Sequence, residues 1–170
     1  VTVNDIAQDN NGFLWFATED GLNRYDGKEF VVYQKDAEEG FQISGNTINF
    51  VVNDSKNRIW VGTNGQGINL KIADQFIVVP IIKNGEVLNE IIATVLFEDS
   101  ENHLWLGTWG DGLFSYSDAS KQFNHIPSTG DYNKIWTISQ LDGALLVGTK
   151  ENGIAVFDKE QLIPWIPANN

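Results

Sequence analysis

Cysteine is absent from the 170 residues, which excludes a disulfide framework, a thiolate metal site and a thiol nucleophile. Methionine is absent too, and the chain begins at Val1 with no signal peptide, so it reads as a segment cut from a longer polypeptide. Positive charge is scarce: 11 Lys and Arg face 23 Asp and Glu, for a net charge of -12. Phosphate-backbone binding depends on Lys and Arg displacing counterions, so nucleic acid is excluded as a partner. No apolar run is long enough to span a bilayer, which leaves any membrane contact to parts outside this stretch. Only two histidines occur, His103 and His125, neither at a metal-site spacing, and no Gly-x-Ser-x-Gly elbow is present. Neither a metal nor a cofactor is expected.

What is present is β-forming. Aromatic residues make up 12% of the chain, including 6 Trp, and short apolar runs are broken by Gly, Asn and Asp. One stretch occurs four times: LWFAT then GL from Leu14, IWVGT then GI from Ile59, LWLGT then GL from Leu104, and LLVGT then GI from Leu145. The anchors Thr18, Thr63, Thr108 and Thr149 fall 45, 45 and 41 residues apart. That period suits a four-stranded propeller blade, a unit that cannot bury its apolar face alone. The expected fold is all-β: four four-stranded antiparallel blades at about 1–45, 46–90, 91–131 and 132–170, forming one β-propeller segment.

Each unit reads as strands A to D. The first comprises Val3 to Gln8, Phe13 to Thr18, Leu22 to Tyr25 and Phe30 to Tyr33, and the last ends near Ile166. The A to B turns are Asp9-Asn10-Asn11-Gly12, Asp54-Ser55-Lys56-Asn57 and Asp99-Ser100-Glu101-Asn102, with Asp as hydrogen-bond acceptor and Gly or Asn supplying a positive φ. In the fourth unit this turn shortens to Leu141-Asp142-Gly143. The stretches Gln34 to Asn46 and Ile81 to Ile92 read as inter-blade linkers, and variable connections on a fixed scaffold are where specificity resides. No strand is left over to close a ring. The four blades therefore close on themselves, belong to a larger ring, or associate as two copies.

Strand, Asp-x-x-Gly, x-Leu-Trp-hydrophobic-Gly-Thr, x-x-Gly-Leu and Asn-Arg-Tyr-Asp together resemble the regulator-propeller repeats of bacterial hybrid two-component sensors. Gly21-Leu22-Asn23-Arg24-Tyr25-Asp26 and Leu104-Trp105-Leu106-Gly107-Thr108 carry the likeness best. The fourth unit departs most, with Leu146 in the Trp place, Leu141 in the Asp place and Ala155-Val156-Phe157 for Asn-Arg-Tyr. The resemblance implies a periplasmic sensor portion of a membrane-anchored fusion of histidine kinase and response regulator. Relatives of this kind occur in gut Bacteroidetes and respond to oligosaccharides. Their sensors carry more repeats, in two propellers followed by an immunoglobulin-like domain.

The repeated residues read as scaffold. Trp15, Trp60 and Trp105 are expected to pack between blades, and Gly62, Gly107 and Gly148, with Ala17 in the first unit, to mark close backbone approach. Ligand contacts are sought among residues that break the repeat. Trp109 stands in a B to C loop where other units carry smaller or charged residues, and Trp136 falls where strand A otherwise has Asn4, Asn49 and Thr94. The candidate ligand-binding set is Trp109, Trp136, Asp20, Asn64, Gln66, Asp111 and Lys150, an indole surface flanked by amides and carboxylates on which a sugar ring can stack. No catalytic residue is assigned. His103 and His125 read as surface strand residues, strand D being the outer edge of a blade. Three function classes remain: a non-catalytic oligosaccharide sensor, a propeller enzyme of lyase or glycan-cleaving type, and an interaction scaffold. Partners expected are an oligosaccharide, the remaining sensor blades, and a second copy in a homodimer.

Overall fold

The computed structural model describes residues 1–38 and 40–165, and every regular element in them is a β-strand. The expected end of the last strand, Ile166, lies outside the described residues. The first sheet pairs β1 (Val3–Gln8), β2 (Leu14–Thr18), β3 (Gly21–Tyr25) and β4 (Phe30–Tyr33) in chain order, each antiparallel to the next. The second follows with β5 (Ile48–Asn53), β6 (Ile59–Thr63), β7 (Ile68–Ile72) and β8 (Gln75–Val79).

The third sheet differs from expectation. Its blade strands are β11 (Ala93–Glu98), β12 (Leu104–Thr108), β13 (Leu113–Ser117) and β14 (Gln122–His125), but the preceding linker adds β9 (Ile81–Lys83) and β10 (Glu86–Val87), giving six strands. β9 pairs parallel with β14 and folds back on β10 through Asn84 and Gly85, whose φ values of 54° and 83° suit a hairpin turn with two left-handed residues. His125 therefore sits on an interior strand and not on a blade's outer edge. The fourth sheet comprises β15 (Ile135–Leu141), β16 (Ala144–Thr149), β17 (Ile154–Asp158) and β18 (Gln161–Pro164).

The core lies between sheets. One cluster joins Trp15, Ala17 and Leu22 to Ile48, Val51, Ile59 and Val61; a second joins Trp60 and Ile68 to Leu104, Leu106 and Phe114; a third joins Trp105 and Leu113 to Ile135, Leu145 and Val147. Each indole thus faces the following blade. Trp15, for example, meets the ring of Phe76 edge-on at 6.1 Å. The strand B glycines make room within and between blades: a Cβ at Gly62 would collide with the Phe50 ring of the same blade, and one at Gly107 would lie 2.6 Å from Ile135 of the next.

A single carboxylate fixes each turn and each indole. Asp9 accepts the backbone N–H groups of Asn11 and Phe13 through Oδ1, and Trp15 Nε1 through Oδ2 at 2.9 Å. Asp54 holds Trp60, and Asp99 holds Trp105, in the same manner at 2.8 and 2.9 Å. A buried indole N–H needs an acceptor, and this one comes from the preceding turn of the same blade. The fourth blade has lost both partners together, with Leu141 and Leu146 in their places.

The linker from Gln34 to Asn46 is strapped down at both ends. Gly21 donates its N–H to the Asn46 carbonyl, Ser44 donates its own to Asn69 Oδ1, and Ile43 is buried among the first two blades. No core cluster and no hydrogen bond joins the first sheet to the fourth among the described residues.

Candidate functional site

Strand A carries the same irregularity in all four blades. The pairing with strand B shifts between Val3 and Asp5, Ile48 and Phe50, Ala93 and Val95, and Ile135 and Thr137. The extra residue is Asn4, Asn49, Thr94 or Trp136. A bulge re-aims the side chain of its unpaired residue, and here it turns that side chain toward the neighbouring blade. Asn4 Nδ2 donates to the Ile48 carbonyl at 2.8 Å, Asn49 Nδ2 to that of Ala93 at 2.7 Å, and Thr94 Oγ1 to that of Ile135 at 2.8 Å. Trp136 occupies the fourth such place and is 59% exposed.

The first residue of each B to C loop lies beside these bulges. The N–H groups of Glu19, Asn64, Trp109 and Lys150 donate to the carbonyls of Thr2, Thr47, Ile92 and Lys134 ahead of the strands A, so each blade contributes one such residue to the same rim. A cavity of about 480 Å³ is lined by Asn4, Glu19, Thr47, Asn49, Asn64, Ile92, Thr94, Trp109 and Trp136. The two indoles meet at 4.9 Å between ring centroids with a 54° tilt, and the Lys150 ammonium lies 4.6 Å from the Trp109 ring, a cation–π distance. Trp109 is half-buried between these neighbours, which leaves Trp136 as the larger open aromatic surface.

Trp109, Trp136 and Asn64 therefore share one cavity, with Lys150 against its aromatic wall. The structure does not bring the other three candidates to it. Asp20 accepts a hydrogen bond from Gln34 Nε2 at 2.9 Å and lines a separate hollow on the first blade. Gln66 packs under Gly45, where its Oε1 lies 2.3 Å from the site of an added Cβ, and its carbonyl accepts the Ser44 hydroxyl. Asp111 pairs with Lys83 of β9 at 3.4 Å. Residues that sequence reasoning left out, Glu19, Thr47, Ile92, Asn4, Asn49 and Thr94, complete the wall. Their signal was available: three of them share the aligned strand A place of Trp136, and Glu19 the loop place of Trp109.

His103 is exposed and accompanies Asp99 at 3.2 Å. His125 is half-buried, edge-on to Phe114 at 5.3 Å; burial pushes its pKa below the usual value, and the nearby Lys83 charge adds to that. Neither histidine lines the cavity. Among the described residues no group of three or more His, Asp or Glu is arranged to hold a metal ion, and Glu19 is the one carboxylate on the cavity wall.

Comparison with known proteins now bears on the architecture. The family model "Two component regulator propeller" matches residues 1–20, 42–65 and 87–110, in each case covering strands A and B and the loop start that reaches the cavity. A histidine kinase of Formosa agariphila is 46% identical over 43 residues, which is 25% of this chain and 3% of that one. The extracellular domain of a hybrid two-component system from B. thetaiotaomicron superposes with a TM-score of 0.80 at 28% identity, over 96% of this chain and 24% of that one. A second such domain from the same organism gives a TM-score of 0.77 at 23% identity, over 95% of this chain and 24% of that one, and speaks for the fold alone. This chain thus spans about a quarter of those extracellular domains. Stretches of the first three blades thus match the two-component regulator propeller model, and the chain as a whole is similar to part of the extracellular domain of a hybrid two-component system.

Proposed function

We propose that the chain is a non-catalytic, periplasmic sensor segment of a hybrid two-component protein, and that its rim cavity takes an oligosaccharide. The likeness to extracellular domains of hybrid two-component systems supports the sensor role and the extracytoplasmic position. One observation carries the ligand class: a cavity of about 480 Å³ with an indole pair on one side and amides, hydroxyls and one carboxylate on the other. Such a wall stacks the apolar face of a sugar ring and hydrogen-bonds its hydroxyls.

Transmission follows from how the blades are joined. Each seam combines an apolar cluster with a bulge latch, so the array moves as a body when a bound ligand favours one arrangement of domains or protomers over another. The strapped Gln34 to Asn46 linker moves with it. Calorimetric titration of the intact sensor with an oligosaccharide panel tests this reading. Trp136→Ala is expected to weaken binding at least about fivefold, since stacked aromatic contacts contribute about 1 kcal/mol or more, and ligand should be recovered unconsumed. Unchanged affinity in both Trp136→Ala and Trp109→Ala, or turnover of the sugar, overturns it.

A further inference from the structure

We infer that the cavity selects neutral sugars and rejects those carrying a carboxylate or sulfate, with Glu19 as the residue that discriminates. This rests on the reading of the cavity as a sugar site. The seams use part of the wall's donor capacity. Asn4 and Asn49 each give an amide N–H to the carbonyl of the following blade, and Thr94 gives its hydroxyl proton. What these three still offer a ligand is two carboxamide oxygens, one N–H on each amide and a hydroxyl oxygen, and the Asn64 amide and Thr47 hydroxyl stand beside them on the wall. Glu19 adds a carboxylate that accepts only the Thr2 hydroxyl, at 2.9 Å, among the described residues.

No Lys or Arg lines the cavity, and the nearest cation, Lys150, is directed at the Trp109 ring. A ligand that fits must therefore hydrogen-bond to neutral polar groups and bring no negative charge to Glu19. Pyranose hydroxyls satisfy both conditions while the ring's apolar face lies on Trp136. A uronate or sulfate ester faces the Glu19 carboxylate without a compensating cation on the wall, and two like charges a few ångströms apart at a protein surface repel strongly enough to cost about tenfold or more in affinity.

Matched pairs of oligosaccharides, neutral gluco- and galacto-oligosaccharides and their C6-oxidised uronate counterparts, are titrated into the intact sensor and its Glu19→Gln and Trp136→Ala variants. The expected result is binding of a neutral member, at least about tenfold weaker binding of its oxidised partner, and a clear narrowing of that ratio in Glu19→Gln. If both partners bind equally, or the ratio is the same in Glu19→Gln, while Trp136→Ala weakens both, the selectivity inference is overturned and the sugar site stands. If no member of the panel binds, or Trp136→Ala changes nothing, the sugar reading falls and takes the inference with it.

Discussion

At the scale of single residues, the repeated aspartates matter because of what they leave behind when removed. Asp54 is 4% exposed and Trp60 is fully buried, so Asp54→Ala strands a buried indole N–H and two turn N–H groups without an acceptor. The expected loss is about 2–4 kcal/mol in urea unfolding, the cost of unsatisfied buried donors. The fourth blade indicates the coupling: where the carboxylate is absent the indole is absent too. In a double-mutant cycle, Asp54→Leu added to a Trp60→Leu background should therefore cost less than Asp54→Leu alone by the share of the indole bond, the turn N–H groups and Arg58 still losing their acceptor, and strictly additive losses would refute the clamp. Acid should act on the third blade's counterpart, Asp99. In the third blade burial alone would raise the Asp99 pKa, but the hydrogen bonds from Trp105, His103 and Glu101 outweigh it and hold the carboxyl below 3.8. A depressed carboxyl stabilises the fold above its unfolded pKa and loses that contribution as pH falls through the folded value. Asp118 behaves alike at the second seam, where Lys56 and Arg58 hold it at about 2. It is nearly half exposed, so its share is under about 1 kcal/mol and should vanish in high salt.

At the scale of elements, the strands that form within a blade were readable because their sequence requirements are local. Alternating apolar residues, an Asp-led turn and a small residue on strand B recur at a fixed period, and the four antiparallel sheets follow. The β9–β10 hairpin reads as a linker in the sequence. Its turn signal, Asn84-Gly85 between Ile81-Ile82-Lys83 and Glu86-Val87, was in plain view. Its docking site was not, because β9 pairs in parallel with a strand some 40 residues later, and such non-local partners leave no mark in either segment. The rim was legible in the same partial way: the odd indoles stood out, but the bulge that aims Asn4, Asn49 and Thr94 is a property of strand pairing and not of either strand alone. The hairpin gives a pH prediction. His125 lies where β14 meets β9, with its pKa lowered by burial first and by Lys83 second, so the folded state binds its proton less readily than the unfolded chain. Its contribution is complete above about pH 6.5 and is lost as pH falls through the lower folded value. His125→Phe should flatten the dependence of melting temperature on pH in that window; an unchanged slope would show that the ring titrates freely.

At the scale of the whole molecule, the array exposes at its ends what it buries at its seams. Ile48 and Val51 of the second blade are 0% and 2% exposed beneath the first blade's indole, whereas their first-blade counterparts Val3 and Ile6 are 51% and 56% exposed. Phe76 packs against Trp15, but its counterpart Phe30 is 60% exposed. On the far side Ile154 is 42% exposed while Leu22, Ile68 and Leu113 at the same repeat place are 0%. A surface with seam chemistry and no cover among the described residues should behave differently alone and in the longer sensor. In the isolated segment, Ile6→Lys and Phe30→Lys replace wet apolar groups, so they should shift stability by no more than about 0.5 kcal/mol while lowering self-association in sedimentation velocity. In the intact sensor, a blade seated on this face would bury the same lysines unpaired, at a cost of several kcal/mol. The comparison separates two architectures by one measurement: large destabilisation only in the longer chain means that another blade caps the first, and equal small effects in both mean that the face is solvent-exposed throughout.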